Sequence, residues 1–141
     1  MADMRSIVEQ FNEVFNTAEF DRVGDFLSED CVLIVPGAPP MGRDEWVQFS
    51  KPFKDASPDA RINIDRYYEV GDLAIAEGRF SGTHTAPLVT PQGEIPTQGK
   101  SFDLPYADFI TVKDGKITAH TAYFDFVTFL TSIGAMPAPA H

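Results

Sequence analysis

The most constraining stretch of this chain is residues 60–85. Ile62, Ile64, Tyr68 and Val70 fall on one side of it, and Arg61, Asn63, Asp65 and Glu69 on the other. A period of two marks a β-strand half buried against a core. Val70-Gly71-Asp72 then supplies a hairpin turn. Residues 73–85 return with Ala74, Ala76, Gly78, Phe80, Gly82 and His84 on one face, and the small side chains there leave room for something to sit against the sheet. Two strands joined in this way demand an antiparallel sheet. The rest of the chain must cover its apolar face.

The N-terminal third supplies the cover. Ile7, Val8, Phe11, Val14, Phe15 and Ala18 recur at spacings of three and four, so residues 3–18 read as a helix with Asp3 as N-cap. Thr17 is placed to cap a second, short helix carrying Phe20, Val23, Phe26 and Leu27. CVLIV at 31–35 reads as a strand ended by Pro36-Gly37. The loop at 36–43 holds three prolines, and residues 44–51 suggest a helix with Trp46, Phe49 and Phe53 on one side, stopped around Pro52. After a proline- and glycine-rich loop at 86–98, a long strand at 99–112 turns through Lys113-Asp114-Gly115 into another at 116–125. A closing helix at 126–133 places Phe126, Phe129, Leu130 and Ile133 at helical spacing. Helices followed by an antiparallel meander make an α+β pattern, with helices packed on one face of a curved antiparallel sheet. One domain over residues 1–134 is expected, followed by a frayed tail at 135–141.

Composition narrows the function. The 141 residues carry 21 acidic and 11 basic side chains, a net charge of −10, which repels phosphate backbones and anionic lipid. Nucleic-acid and membrane-surface partners are therefore disfavoured. No apolar run is long enough for a signal peptide or a membrane span, so a soluble, cytoplasmic protein is expected. The single cysteine, Cys31, excludes an internal disulfide. Twelve phenylalanines stand beside one tryptophan and four tyrosines, enough rings to fill a core or to line a pocket for an apolar ligand.

The stretch at 114–134, DGKITAHTAYFDFVTFLTSIG, sets His120 and Asp125 in apolar company. A carboxylate buried among apolar groups has its pKa pushed up and becomes a better base toward a proton next to a carbonyl. Asp125 also directly precedes a helix, where aspartate serves as a cap. Five residues separate His120 from Asp125, so a regular strand points them to opposite faces; if His120 faces a cavity, so do Ala122 and Phe124. His84 ends the small-residue face of the returning strand, a place for a polar ligand contact. Tyr106 and Asp108 share one face of the long strand: Tyr106 offers a hydroxyl to a ligand, whereas an aspartate in the position of Asp108 is more often a solvated or ion-paired residue. Trp46, Phe53, Phe80 and Phe124 are the aromatic candidates for a ligand wall. The histidines and carboxylates show no diagnostic metal-ligand spacing.

Three segments in order carry a resemblance: ASPDA at 56–60, GTHTAPLVTPQGEIPTQ at 82–98, and DGKI…H…YFD…FL…G at 114–134. Together they resemble the SnoaL-like polyketide cyclase group of the NTF2-like superfamily. Ala86 stands where a glycine is typical there, Gln98 separates Thr97 from Gly99, and SIG replaces QLG at 132–134. The resemblance implies a cone-shaped, cystatin-like α+β fold around a deep apolar pocket. It also implies ring closure by intramolecular aldol chemistry with neither metal nor organic cofactor. Asp125 matches the family's last-strand aspartate base, with His120 or His84 steadying an oxyanion. The same superfamily holds non-catalytic modules, so a small-ligand-binding or dimerisation protein is the alternative. Under either reading a homodimer is expected through the outer sheet row Ile117, Ala119, Thr121 and Tyr123, together with a small apolar or aromatic ligand.

Overall fold

The computed structural model describes residues 3–90 and 93–135, and it begins with the expected capped helix. The Asp3 carboxylate accepts a hydrogen bond from the Ser6 amide at 2.8 Å and starts α1 (Met4–Asn16). This satisfies one of the first-turn N–H groups that a helix cannot pair internally. Ile7, Val8, Phe11, Val14 and Phe15 form its buried face. Thr17 ends α1 instead of opening a second helix, its hydroxyl donating to the Glu13 carbonyl at 2.7 Å. A 3-10 turn (Phe20–Asp25) follows and leads into β1 (Leu27–Ile34), which starts four residues earlier than the apolar run suggested.

Helix α2 (Arg43–Ala56) runs through Pro52, where the sequence suggested a stop. Proline forfeits one backbone hydrogen bond, but the extra turn packs Phe53 against the core and buries Ala56. The turn also lets Lys54 Nζ donate to the Ala60 carbonyl at 2.7 Å, tying the helix end to the start of the next strand. Tertiary packing outweighs the local cost here.

The meander consists of β2 (Arg61–Val70), β3 (Leu73–Thr83), a short hairpin of β4 (Leu88–Thr90) and β5 (Gly93–Ile95), then β6 (Ser101–Lys113) and β7 (Lys116–Phe124). The short hairpin lies within the stretch expected to be loop. Helix α3 (Phe126–Ser132) is the last element of the described chain, and the expected tail at 135–141 lies, from residue 136 on, outside the described residues. Strand order in the main sheet is β1-β7-β6-β3-β2, so β1 and β2 are its outer strands and the sheet is open; a single bridge from Leu33 to Met41 covers part of the β1 edge. Its pairs are antiparallel except that β1 runs parallel to β7. The expected curved antiparallel sheet is present, with this one parallel pair added at its edge. The whole meander separates β1 from β7, and no tight turn dictates their direction.

Two irregularities decide which side chains face inward. In β2 the register shifts between Ile64 and Arg66. Ile62 and Ile64 pack on the core, but Tyr68 and Val70 turn outward, and Tyr67 takes the inner side. A second shift lies where Val112 pairs Ile117 and Thr111 pairs Ala119, skipping Thr118. Ile117 is consequently buried, while Ala119 and Tyr123 face solvent, so the expected outer row loses its first member. One inserted residue reverses the faces of all that follow it, which simple alternation cannot anticipate. The small-residue face of β3 is likewise filled by the protein itself. A Cβ on Gly78 would lie 1.7 Å from the Asn63 carbonyl oxygen, and one on Gly82 would lie 2.9 Å from Ala60 Cα. Backbone occupies the room expected for a ligand there.

Candidate active site

Between the two long helices and the inner face of the sheet lies a cavity with about 100 Å³ of free space. Helix α1 contributes Phe11, Asn12 and Phe15. Helix α2 contributes Trp46, Phe49, Ser50 and Phe53, which recur every three or four residues along one stripe. The floor is Phe80 on β3, Tyr106 and Asp108 on β6, and His120, Ala122 and Phe124 on β7, with Ile62 and Val35 at the sides. The rings pack edge-on or tilted: Phe11 meets Trp46 at 4.8 Å and the His120 ring at 5.5 Å, and Phe80 meets Phe124 at 6.2 Å. Six of the twelve phenylalanines line this space, so the aromatic excess serves a pocket as well as a core.

Three titratable groups, Tyr106, Asp108 and His120, stand on the otherwise apolar floor. In the β6–β7 ladder Asp108 is opposite Ala122 and Ile110 is opposite His120, which makes Asp108 and His120 diagonal neighbours on the inner face. His120 Nε2 lies 3.6 Å from Asp108 Oδ2, and each side chain is only 7% exposed. The separation is slightly beyond hydrogen-bond length and within ion-pair range. Tyr106, two residues before Asp108, directs its hydroxyl to the Asn63 carbonyl at 3.1 Å. Burial, and secondarily the Asp108 charge, hold its phenol above the ordinary tyrosine range. It is a protonated, committed donor.

The sequence of residues 5–133 matches the model of the SnoaL-like polyketide cyclase family. The chain belongs to the SnoaL-like family. Solved structures agree on the fold. IdmH of Streptomyces antibioticus, a candidate polyketide cyclase, is 23% identical over 92% of this chain and 97% of its own, with a TM-score of 0.79. TsrD of Streptomyces laurentii is 20% identical, over 96% and 100% of the two chains, at 0.79. A Catenulispora acidiphila protein with a ketosteroid isomerase-like fold is 16% identical, over 94% and 95%, at 0.75. No curated protein matches the sequence. SnoaL-like membership supports a cyclase- or isomerase-type role in general terms, and the architecture is that of the NTF2-like fold expected from the motifs.

Of the nine site residues suggested by sequence, His120, Tyr106, Asp108, Trp46, Phe53, Phe80 and Phe124 line the cavity. Asp125 and His84 do not. β7 ends at Phe124, and the exposed Asp125 caps α3, accepting from the Thr128 amide at 3.0 Å and the Thr128 hydroxyl at 2.6 Å. The Thr128 hydroxyl, with its amide, holds the Asp125 carboxyl below the ordinary carboxylate range. That is the opposite of what an apolar pocket would do. The carboxylate that does sit among the rings is Asp108. His84 is 1% exposed, and neither ring nitrogen has a hydrogen-bond partner among the described residues. Burial pushes its pKa down, against a smaller opposing pull from the Ala86 backbone. Asn12 and Ser50 went unnoticed in the sequence. The signal for Asn12 was there, a polar residue within the apolar stripe Val8, Phe11 and Phe15. Among the described residues no helix is long and apolar enough to cross a membrane.

Proposed function

We propose that this SnoaL-like protein is a cofactor-independent acid–base enzyme that removes a proton next to the carbonyl of a small, ring-bearing apolar substrate. The supporting observation is the buried Asp108–His120 pair at 3.6 Å on the floor of an aromatic cavity. Asp108, rather than Asp125, is the base in this reading. As the α-C–H bond breaks, its proton passes to the Asp108 carboxylate. The bond's electron pair forms the new C=C bond, and the carbonyl π pair moves onto oxygen to give an enolate. Return of the proton at another carbon is isomerisation. Attack of the enolate carbon on a second carbonyl forms a C–C bond, and the Asp108 proton then neutralises the new alkoxide. Either way Asp108 ends as the carboxylate. His120, diagonal to it, orients the carboxylate.

About 100 Å³ of space is less than the roughly 150 Å³ cavity that takes up benzene. The cavity is partly open to solvent, so the suitable test substrate has a single ring, with part of its bulk left at the opening. Acetophenone in deuterium oxide, followed by proton NMR, reports abstraction directly as exchange of its methyl hydrogens. The protein should accelerate that exchange over buffer, and Asp108→Asn should slow it by about 10²–10⁴-fold. Undiminished exchange in the Asp108→Asn variant would refute the assignment.

The expected dimer is retained as part of the proposal, on a revised surface. Val32 and Ile34 of β1, Phe109 of β6 and Tyr123 of β7 are exposed on the outer face of the sheet, with the Phe109 and Tyr123 rings 5.8 Å apart. Light scattering should give the mass of two chains at micromolar concentration, and Tyr123→Lys should reduce it to one.

A further inference from the structure

Two asparagines lie one turn apart on α1 and are used very differently. Asn16 is pinned to β2: its Nδ2 donates to Glu13 Oε1 at 2.9 Å and to the Ile62 carbonyl at 3.2 Å, and its Oδ1 accepts from the Ile62 amide at 2.7 Å. Asn12 lines the cavity, is 5% exposed, and its Nδ2 has no hydrogen-bond partner among the described residues. A buried amide donor left unpaired works against folding. A polar residue that contributes this little to the fold needs another occupation.

We propose that Asn12 is the donor for the substrate's carbonyl oxygen, so that α1 supplies the oxyanion contact while β6 supplies the base. The inference rests on the proton-abstraction reading of the same cavity and adds the ligand's anchoring group. As the proton leaves, negative charge accumulates on that oxygen. A fixed N–H among aromatic rings stabilises such charge more than water does. A neutral amide suits the task, because it donates to the substrate oxygen without adding a second cationic partner for the Asp108 carboxylate. The Tyr106 hydroxyl is engaged by Asn63 and is not free to compete. Asn12 and Ile62 also border an outer groove with Glu9, Glu13 and Arg61. Water in that groove is the rival partner for the amide.

The test compares two ligands of nearly equal shape, acetophenone, which only accepts hydrogen bonds, and isopropylbenzene, which does neither. Affinities are measured by NMR titration on the full chain. The wild type should prefer the ketone, and Asn12→Leu should weaken ketone binding roughly tenfold while leaving isopropylbenzene binding unchanged. In the wild type, the ketone alone should move the Asn12 side-chain amide proton downfield, a readout independent of how the variant folds. A ketone preference that survives Asn12→Leu, the lack of any preference in the wild type, or an unmoved Asn12 resonance overturns the inference. Asp108→Asn separates the two readings. It should keep the ketone preference while losing exchange, so each can fail without the other.

Discussion

Asp108 on β6 and Asp125 just past the end of the neighbouring β7 are the same residue type, yet they occupy opposite environments. Asp108 lies mid-strand on the inner face, 7% exposed and 3.6 Å from an imidazole. Asp125 lies one residue past the end of β7, exposed, and bonded twice to Thr128. Both have apolar neighbours in sequence. The pleat and the strand end separate them: inner residues on β7 are His120, Ala122 and Phe124, and the chain leaves the ladder before Asp125. Apolar company along a sequence is thus a poor guide to burial when a strand stops within it.

The sharpest way to break this contrast is to remove each carboxylate in turn. Asp108→Asn should cost about 10²–10⁴-fold in methyl exchange of an aryl ketone, whereas Asp125→Asn should leave the exchange rate unchanged, because asparagine caps a helix as well as aspartate does. The reverse result would return the base to the strand end. His120 gives the next largest effect. His120→Gln keeps a polar group beside Asp108 but loses the imidazole. A fall of about ten- to hundredfold is expected, in the range of one hydrogen bond to a charged group. A fall as large as that for Asp108 would show the two acting as one unit, not Asp108 with an orienting neighbour.

The two buried histidines extend the comparison to stability. His120 faces a carboxylate, whereas His84 has no partner among the described residues and burial lowers its pKa. The sign follows directly. Unfolded His84 gains a proton near the ordinary histidine value of 6.5, while folded His84 stays neutral to lower pH. The unfolded state therefore binds more protons below pH 6.5, and stability falls on acidification with a slope of up to about 1.4 kcal/mol per pH unit. His84→Leu should flatten the melting temperature between pH 6.5 and pH 5 relative to wild type. Parallel curves would show that His84 does not carry the loss.

Much of this was legible in the sequence. Period-two alternation placed the central hairpin, helical spacing placed α1 and the aromatic stripe of α2, and three ordered motifs implied the family. What escaped has a physical cause in each case. The shifts after Ile64 and around Thr118 reversed faces, and so misplaced Tyr68, Val70 and Ile117. The run through Pro52 depended on packing several residues further on. Asp108 was visible and placed on the right face with Tyr106, but one strand cannot reveal that the next sets a histidine on its diagonal. Asn12 broke an apolar stripe, yet the same pattern describes Asn16, which is structural. Only the hydrogen bonds separate them.

The smallest effect belongs to Asp125 itself. If it is a cap and nothing more, Asp125→Ala should lower the melting temperature by a few degrees at neutral pH, through the loss of the bonds to Thr128. The effect should also depend on pH with a definite sign. The folded carboxyl titrates lower than the unfolded one, so its contribution is fully present above the ordinary carboxylate range and fades as pH falls through the depressed folded value. The melting curves of wild type and Asp125→Ala should converge in acid and stay separated at neutral pH. An exchange rate that fell along with the melting temperature at neutral pH, below full unfolding, would link the helix cap to the cavity after all. The natural route is α3, where Phe129 packs on Phe80 at 6.2 Å and Phe53 at 5.5 Å, both cavity residues. Rates that hold while stability drops would confine Asp125 to the helix and leave the chemistry with Asp108.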